Sequence, residues 1–422
     1  MKEILTEPSR NIPIADEFDV AVCGGGPAGI GAALRAAREG ARTILIEQFG
    51  CLGGIWTVGC LSWLLDHENK SGIMQELCCR LDDMSARVTG EGKPGQGFDV
   101  EKMKLLLEEL CREADVNLRY YTRVVAARVE KGRLSHAVLE SASGREALAA
   151  ECFVDCTGNG DLGMLAGCGF DVGHPETGAT QPMSMIAILT GLDPEAVSGY
   201  YRRTNAGAWA EPKDRLRADM ERGGHTPSYG KPSLFEIGEG LFALMANHEY
   251  GYSALDADDL TRATVESRRE VHQLVDGLRS LGGVWKDVKI VATSAQIGTR
   301  EGRRLHGLYT VSREDLVQGA RHEDAVCRVT FPVDVHSTDP SKTSGIEPAE
   351  IESRPYDIPL RALIARDVDG LLMAGRCISG DFLAHSSYRV TGNAVALGEA
   401  AGRTAARAVE RGKVPGDLSV LA

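Results

Sequence analysis

The chain has 422 residues, enough to bury a large core in two or three domains, and 43% apolar with 25% charged residues is ordinary for a globular protein. A formal charge of −13 argues against nucleic acid or an anionic membrane as the main partner. No apolar run reaches membrane-spanning length, and the N-terminal MKEILTEPSR lacks the apolar stretch of a signal peptide, so a cytoplasmic protein without membrane contact is expected.

The first ordered unit reads FDVAVCGGGPAGIGAALRAAREGARTILIE, Phe18 to Glu47. A strand pattern to Cys23 runs into Gly24, Gly26 and Gly29 at G-x-G-x-x-G spacing, then an Ala-rich helix stops at Gly40. The first glycine permits the tight turn, the second lets a pyrophosphate approach the backbone, and the third lets helix and strand pack closely. Pro27 and Ala28 open the helix, whose N–H groups and dipole face the phosphates. Glu47, with Gln48 beside it, ends the second strand where a carboxylate accepts both ribose hydroxyls. A bound dinucleotide is the expectation.

FGCLGGIWTVGC, Phe49 to Cys60, follows, with Cys51 and Cys60 either side of Gly53 and Gly54. A helix pattern after Asp99 (DVEKMKLLLEELCREA) leads into strands LRYYTRVVAARVE, RLSHAVLE and ALAAECFVDCTG, and the last returns at CTGNGDLG. Gly158, Gly160 and Gly163 form a second glycine match there. The segment after it, MLAGCGFDVG, is too short and Gly-broken for a crossover helix, and no strand ending in an acid follows, so a second nucleotide site is rejected.

Between about Gly173 and Pro359 the segments Ser184 to Gly191, SLFEIGEGLFALMAN, DVKIVATSAQIG and CRVTFPVDVH read as strands, and DDLTRATVESRREVHQLVDGLRSLGG as an amphipathic helix. DPSKTSGIEPAEIES reads as a surface loop or flap. Further on, Gly370 to Gly375 reads as a buried strand and Thr391 to Arg411 as a helix. Small residues at Ala394, Gly398, Ala401, Gly402 and Ala405 share one face of it and permit close packing. Eleven scattered cysteines without paired CxxC units, and ten histidines without HxH or HxxxH spacing, give no metal site.

Together GGGPAGIGAAL, IEQFGCLGG, DCTGNGDLG, QIGTREGRRLHG, YDIPLRALI and LLMAGRCISGD with its following helix resemble the FAD-dependent oxidoreductase family of the glutathione reductase superfamily, distant relatives of fumarate reductase flavoproteins. The resemblance covers nearly the whole chain. It implies an α/β fold: a Rossmann-like FAD-binding domain of glutathione reductase type, in two parts (1–175 and 362–422), with a discontinuous β-sheet-based substrate or cap domain (176–361). Non-covalent FAD is the implied cofactor. Gly53 and Gly54 would lie against pyrophosphate and flavin with Trp56 covering the ring, Val124 and Val125 would hold the adenine, and Thr157, Gly158 and Asp161 would return to the cofactor. Where many relatives end the last strand in Gly-Asp, Gly375 is followed here by Arg376, and Asp381 is the candidate replacement for the ribitol contact. Thr391, Gly392 and Asn393 would aim a helix N-terminus at the flavin N1/O2 edge, stabilising reduced flavin.

Substrate binding is expected where cap meets cofactor domain. Arg300, with Arg304 behind it, is the candidate clamp for a substrate carboxylate. His385 and His336 are candidates for taking the proton that accompanies hydride loss, with Arg389 and Tyr388 second in line. In flavin-dependent disulfide reductases the cysteine pair is spaced by five just after Gly-Gly. Here Trp56 replaces the first cysteine, which argues against thiol chemistry. The expected activity is hydride transfer between a small organic substrate and flavin N5. The alternative is an NAD(P)H-dependent flavin monooxygenase, and homo-oligomerisation stays open.

Overall fold

The computed structural model describes residues 5–90, 93–202, 210–339, 341 and 351–418. Strand β1 (Ile14–Cys23) is apolar and buried from Val20 onward and pairs in parallel with β2 (Thr43–Ile46) on one side. Helix α1 (Pro27–Arg38) makes the crossover, and proline at its first position costs no hydrogen bond because that N–H is unpaired in any helix. Two unanticipated elements follow, helix α2 (Ile73–Asp83) and a hairpin of Arg87–Gly90 with Lys93–Phe98. Helix α3 (Val100–Glu113) starts where expected, because the Asp99 carboxylate accepts from the Glu101 and Lys102 amides.

Strand β3 (Asn117–Arg119) extends the parallel sheet beyond β2. Then β4 (Arg123–Glu130), β5 (Arg133–Ser141) and β6 (Gly144–Asp155) form an antiparallel meander. β6 is the hinge of the sheet: it pairs in parallel with β1, so the meander returns its polar end beside the glycine loop. After β6, Asp161–Leu165 forms a five-residue helix and Phe170–Asp171 a two-residue strand, too little for a second crossover unit.

A second sheet is wholly antiparallel, ordered β8 (Ser233–Gly238), β9 (Leu241–Met245), β7 (Ile186–Thr190), β10 (Lys289–Thr293). Helices α4 (Glu211–Arg222) and α5 (Ala257–Ser280) cover it. Their buried Leu216, Met220, Val271, Leu274 and Leu278 form a core of their own with Leu189, Phe242 and Trp285. The CRVTFPVDVH segment does not join this sheet. Its strand, Ala325–Val329, pairs with Tyr356–Pro359 and packs into the main core with residues on to Ala365. Of the expected surface loop, 340 and 342–350 lie outside the described residues.

Strand β11 (Leu371–Met373) returns to the first sheet and pairs in parallel with the Phe153–Asp155 end of β6. Helix α6 (Phe382–Tyr388) and helix α7 (Thr391–Glu410) follow. The small-residue stripe of α7 packs on α1. An added Cβ at Gly398 would fall inside the van der Waals surface of the Ala28 carbonyl oxygen, and one at Gly402 would do the same at Ala32. Gly398→Ala is therefore expected to destabilise the fold by about 1–3 kcal/mol or more, since backbone rather than a movable side chain must yield. Urea midpoints of FAD-free protein test this, and an unchanged midpoint would mean that the helices separate without cost.

Candidate active site

The two sheets enclose one cavity of about 830 Å³ between them. One end is built from the glycine motif. Gly24 sits at φ +103° with the Cys156 backbone against it, a place closed to any side chain. Gly26 differs: an added Cβ would meet nothing within 4 Å, so the chain leaves the space in front of it open. Glu47 follows β2 and its two oxygens accept the Gly25 and Phe49 amides at 2.7 and 2.9 Å. Burial pushes this carboxyl up, and those amides oppose the shift.

Gly24, Gly26, Pro27, Ala28, Glu47, Gln48, Gly54, Val124, Thr157, Gly158, Asp161, Gly375 and Arg376 all line the cavity, although they come from five separate stretches of chain. Gly29, Gly53 and Val125 stand behind this lining. Gly29 seats α1 on the Gly24 carbonyl, and Val125 falls where the β4–β5 register shifts.

Arg376 works differently from the acid it replaces. Its guanidinium donates to the Gly158 carbonyl at 2.9 Å, to Asn159 Oδ1 at 2.6 Å and to Thr299, tying three cavity-lining segments together. Burial lowers it to about 10. Asp381 does not reach the cavity. It caps α6 through the Ala384 amide and also accepts from the Arg313 amide, so it is no substitute for a ribitol acid.

The α7 N-terminus is also built otherwise than expected. Val390 is the cap residue and contributes no side-chain bond. The Gly392 amide donates to the Leu65 carbonyl at 2.9 Å, and an added Cβ would strike the Leu65–Asp66 backbone, so Gly392 serves that contact and does not line the cavity. Asn393 is buried and turned to Tyr388 and Cys327. The residues that face the cavity here are Val390, Thr391 and Ala394, and Thr391 Oγ1 is buried without a hydrogen-bond partner. An orphaned buried hydroxyl, an open face above Gly26 and a cavity of this size together suit a bound dinucleotide.

The opposite end of the cavity is polar and cationic. Arg300 donates through Nη1 to the Pro182 carbonyl (2.6 Å) and Ser184 Oγ (2.9 Å), while Nη2 meets only Met245 Sδ at 3.8 Å. Arg389 donates to Gln181 Oε1 (3.0 Å) and the Asp334 carbonyl (2.8 Å), and its Nε has no partner. Both arginines are half-buried in the cavity wall, and neither has a carboxylate partner among the described residues. Burial and then Arg389 lower Arg300 to about 10. Lys213 and Arg202 line the same end, with Lys213 lowered to about 8 by burial and Arg202. Arg304 lies behind the wall, held by the Gly380 and Gly173 carbonyls.

His336 lines the cavity and His385 does not. On α6 and the turn after it, Ser386 and Arg389 are three apart and share the cavity face, which leaves His385 pointing into the core. Its ring is fully buried, its nitrogens have no partners, and burial together with Arg389 holds it far below the ordinary imidazole range. A ring so placed has no route to a substrate proton. Tyr388 is likewise buried, with its hydroxyl on the Ile378 carbonyl.

All eleven cysteines are unpaired. Burial raises Cys60 to about 11 and Cys51 above its ordinary value, so neither is a ready thiolate near neutral pH. Neither lines the cavity, and Trp56 is also absent from it, packed in the core edge-on to Phe98. Cys51→Ser and Cys60→Ser are each expected to keep their flavin and to be reduced within about tenfold of the parent rate. Loss of more than about a hundredfold, some 2.7 kcal/mol of barrier, in a flavin-loaded variant would restore a thiol role.

Several lining residues carry no sequence signal: Trp63, Lys213, Tyr229 and Phe235 are brought in by segments whose faces the pattern alone does not orient. Asp334 had one, since it lies two residues before His336 at strand spacing.

Residues 19–422 match the model of a family described as FAD dependent oxidoreductase. A dihydrolipoyl dehydrogenase of Trypanosoma brucei brucei is 47% identical over 53 residues, which is 12% of this chain and 11% of that protein. Among solved structures, a geranylgeranyl bacteriochlorophyll reductase-like protein from Thermoplasma acidophilum is similar at TM-score 0.45 and 14% identity, covering 94% of this chain and 78% of its own. A flavin-dependent brominase is similar at TM-score 0.48 and 12% identity, covering 96% and 83%.

Proposed function

The chain belongs to the FAD-dependent oxidoreductase family, and from that premise we propose that it moves a hydride between its FAD and a small organic substrate bearing a carboxylate. The observation that carries this reading is one continuous cavity with cofactor motifs at one end and, at the other, half-buried Arg300 and Arg389, which have no carboxylate partners among the described residues. Two such cations in a chain of net charge −13 favour an anion arriving from outside.

FAD, when bound, supplies the acceptor or donor of the hydride at its N5 atom. The chain's own residues do the rest. Gly26 and the α1 amides receive the pyrophosphate, Glu47 the ribose, and Val124 the adenine. Thr391 addresses the ring, and the bond is non-covalent. Arg300 and Arg389 orient the substrate carboxylate, and the Asp334–His336 pair, joined at 3.2 Å, holds or takes the proton that balances the hydride. In this reading the FAD-binding domain is of glutathione reductase type, with 1–175 and 362–422 forming it and 176–361 the cap.

Anaerobic mixing of the FAD-loaded protein with hydroxy- and amino-carboxylates, and of the photoreduced protein with keto- and unsaturated carboxylates, tests the proposal through the visible flavin band. At least one carboxylate is expected to change the flavin's redox state, and NADPH is expected not to. Fast bleaching by NADPH with no response to any carboxylate would favour the hydroxylase instead.

A further inference from the structure

Behind the cavity wall the Asp334–His336 pair continues, through His248 and Tyr250, into a chain of hydrogen bonds that the hydride reading does not itself require. His336 Nε2 lies 3.2 Å from Asp334 Oδ2, His336 Nδ1 lies 3.0 Å from His248 Nε2, and His248 Nδ1 lies 3.1 Å from the Tyr250 hydroxyl. Asp334 and His336 line the cavity. His248 is buried behind them, and Tyr250 is partly exposed. Tyr229 stacks on His248 with ring centres 4.1 Å apart and fixes its plane.

We propose that Tyr250, His248 and His336 form a proton relay that carries a proton from the protein surface to Asp334 in the cavity wall. The relay serves the proton half of the redox reaction proposed above, and its value to the enzyme rests on that reading.

The bond pattern admits one arrangement of hydrogens when both rings are neutral. An ionised Asp334 can only accept, so His336 carries its hydrogen on Nε2 and leaves Nδ1 as an acceptor. His248 must then donate through Nε2, its Nδ1 accepts, and the Tyr250 O–H donates. Every donor points inward. A proton moves by one hop in each bond, with no ring rotation. His336 gives its Nε2 proton to Asp334 and gains one at Nδ1 from His248. His248 gains one at Nδ1 from Tyr250, and Tyr250 takes its proton from water. When a substrate is reduced, Asp334 gives the proton for one new bond to hydrogen, and bound FAD would supply the hydride for the other. Oxidation runs each step backwards.

The surroundings hold the rings neutral. Burial and then Arg300 lower His336 to about 4, against the pull of Asp334, and the same two causes hold His248 well below the ordinary imidazole range. Burial would raise Asp334, but His336, Arg389 and Arg300 outweigh it and keep it ionised. Lys213 faces Asp334 from α4, and Asp339 and Glu270 face Tyr250 at the outer end.

Two measurements on the FAD-loaded full-length protein test the relay without any substrate. With 15N-labelled histidine, nitrogen NMR should show both rings neutral with hydrogen on Nε2 at neutral pH, the signals being assigned by their loss in His248→Gln and His336→Gln. The second probe is reduced methyl viologen, an electron donor that releases no proton, used in weakly buffered solution with a pH indicator. Two-electron reduction of the flavin to its anion takes up one proton, which passes from the medium through Tyr250, His248 and His336 and is delivered from Asp334. Proton uptake should keep pace with bleaching in the parent and lag by about a hundredfold in Tyr250→Phe and His248→Ala, with added imidazole shortening the lag in His248→Ala only. A charged His336, a hydrogen on Nδ1 of either ring, or uptake that keeps pace in Tyr250→Phe would overturn the relay. Neither measurement uses a carboxylate, so failure to find a substrate and failure of the relay remain separate results.

Discussion

Gly26→Val is expected to yield a folded protein that purifies without FAD. Gly26 lies at φ −72° and ψ −174°, extended backbone that valine adopts readily and that the following proline favours. An added Cβ there meets no protein atom within 4 Å, so the substitution strains nothing in the chain itself. What it fills is the space before the α1 amides, where the pyrophosphate must pass. The expected loss of FAD affinity is more than about a hundredfold, because a branched side chain displaces the phosphates from the N–H groups that satisfy them. Gly24→Ala is the contrasting case. Its φ of +103° and the Cys156 carbonyl against it should make that variant fail in folding. The two outcomes separate cofactor binding from stability. Both variants should be compared with FAD-stripped parent, since lost cofactor by itself lowers the apparent melting point. A Gly26→Val protein that keeps full flavin occupancy would move the phosphates elsewhere.

The cofactor end was legible in the chain because its constraints are local. Turn, helix start and close approach must be met by glycines at fixed spacing within one strand–helix unit, so Gly24, Gly26 and Gly29 announce themselves whatever the rest of the protein does. The helix start after Asp99 and the α7 stripe were legible for the same reason. The substrate end was not, because it depends on which way a short element faces. His385 and Ser386 are neighbours on α6, and the 100° between successive helical residues sends the first into the core and the second, with Arg389 three positions on, into the cavity. Asp381 and Gly392 were misread similarly: an N-cap and a close backbone contact use the same residue types as a ribitol acid and a flavin-facing turn. Only the partner atoms distinguish them. Arg376 illustrates the converse, a departure from family pattern whose role becomes plain once Gly158, Asn159 and Thr299 are seen around its guanidinium.

Arg300→Gln is expected to keep FAD while weakening carboxylate binding by about a hundredfold or more, roughly 2.7 kcal/mol, the scale of a lost charge-assisted pair in a buried site. The cofactor should stay because Arg300 touches Pro182, Ser184 and Met245, none of them in the glycine motif. Arg300→Lys keeps the charge and loses the planar fork, so its loss should be smaller and should fall mainly on geometry. The same substitution has a second, independent consequence. Arg300 follows burial as a cause of the low His336 pKa of about 4, so removing its charge must raise that value. His336 would then gain its second proton at a higher pH in Arg300→Gln than in the parent, and less so in Arg300→Lys. Flavin-band perturbation by the tightest carboxylate measures the first effect, and histidine NMR titration measures the second. A raised His336 pKa with unchanged carboxylate affinity would place the anion on Arg389 and Lys213 instead. If neither changes, the Arg300 guanidinium does not face the cavity as described, and the cationic end of the site loses its principal anchor.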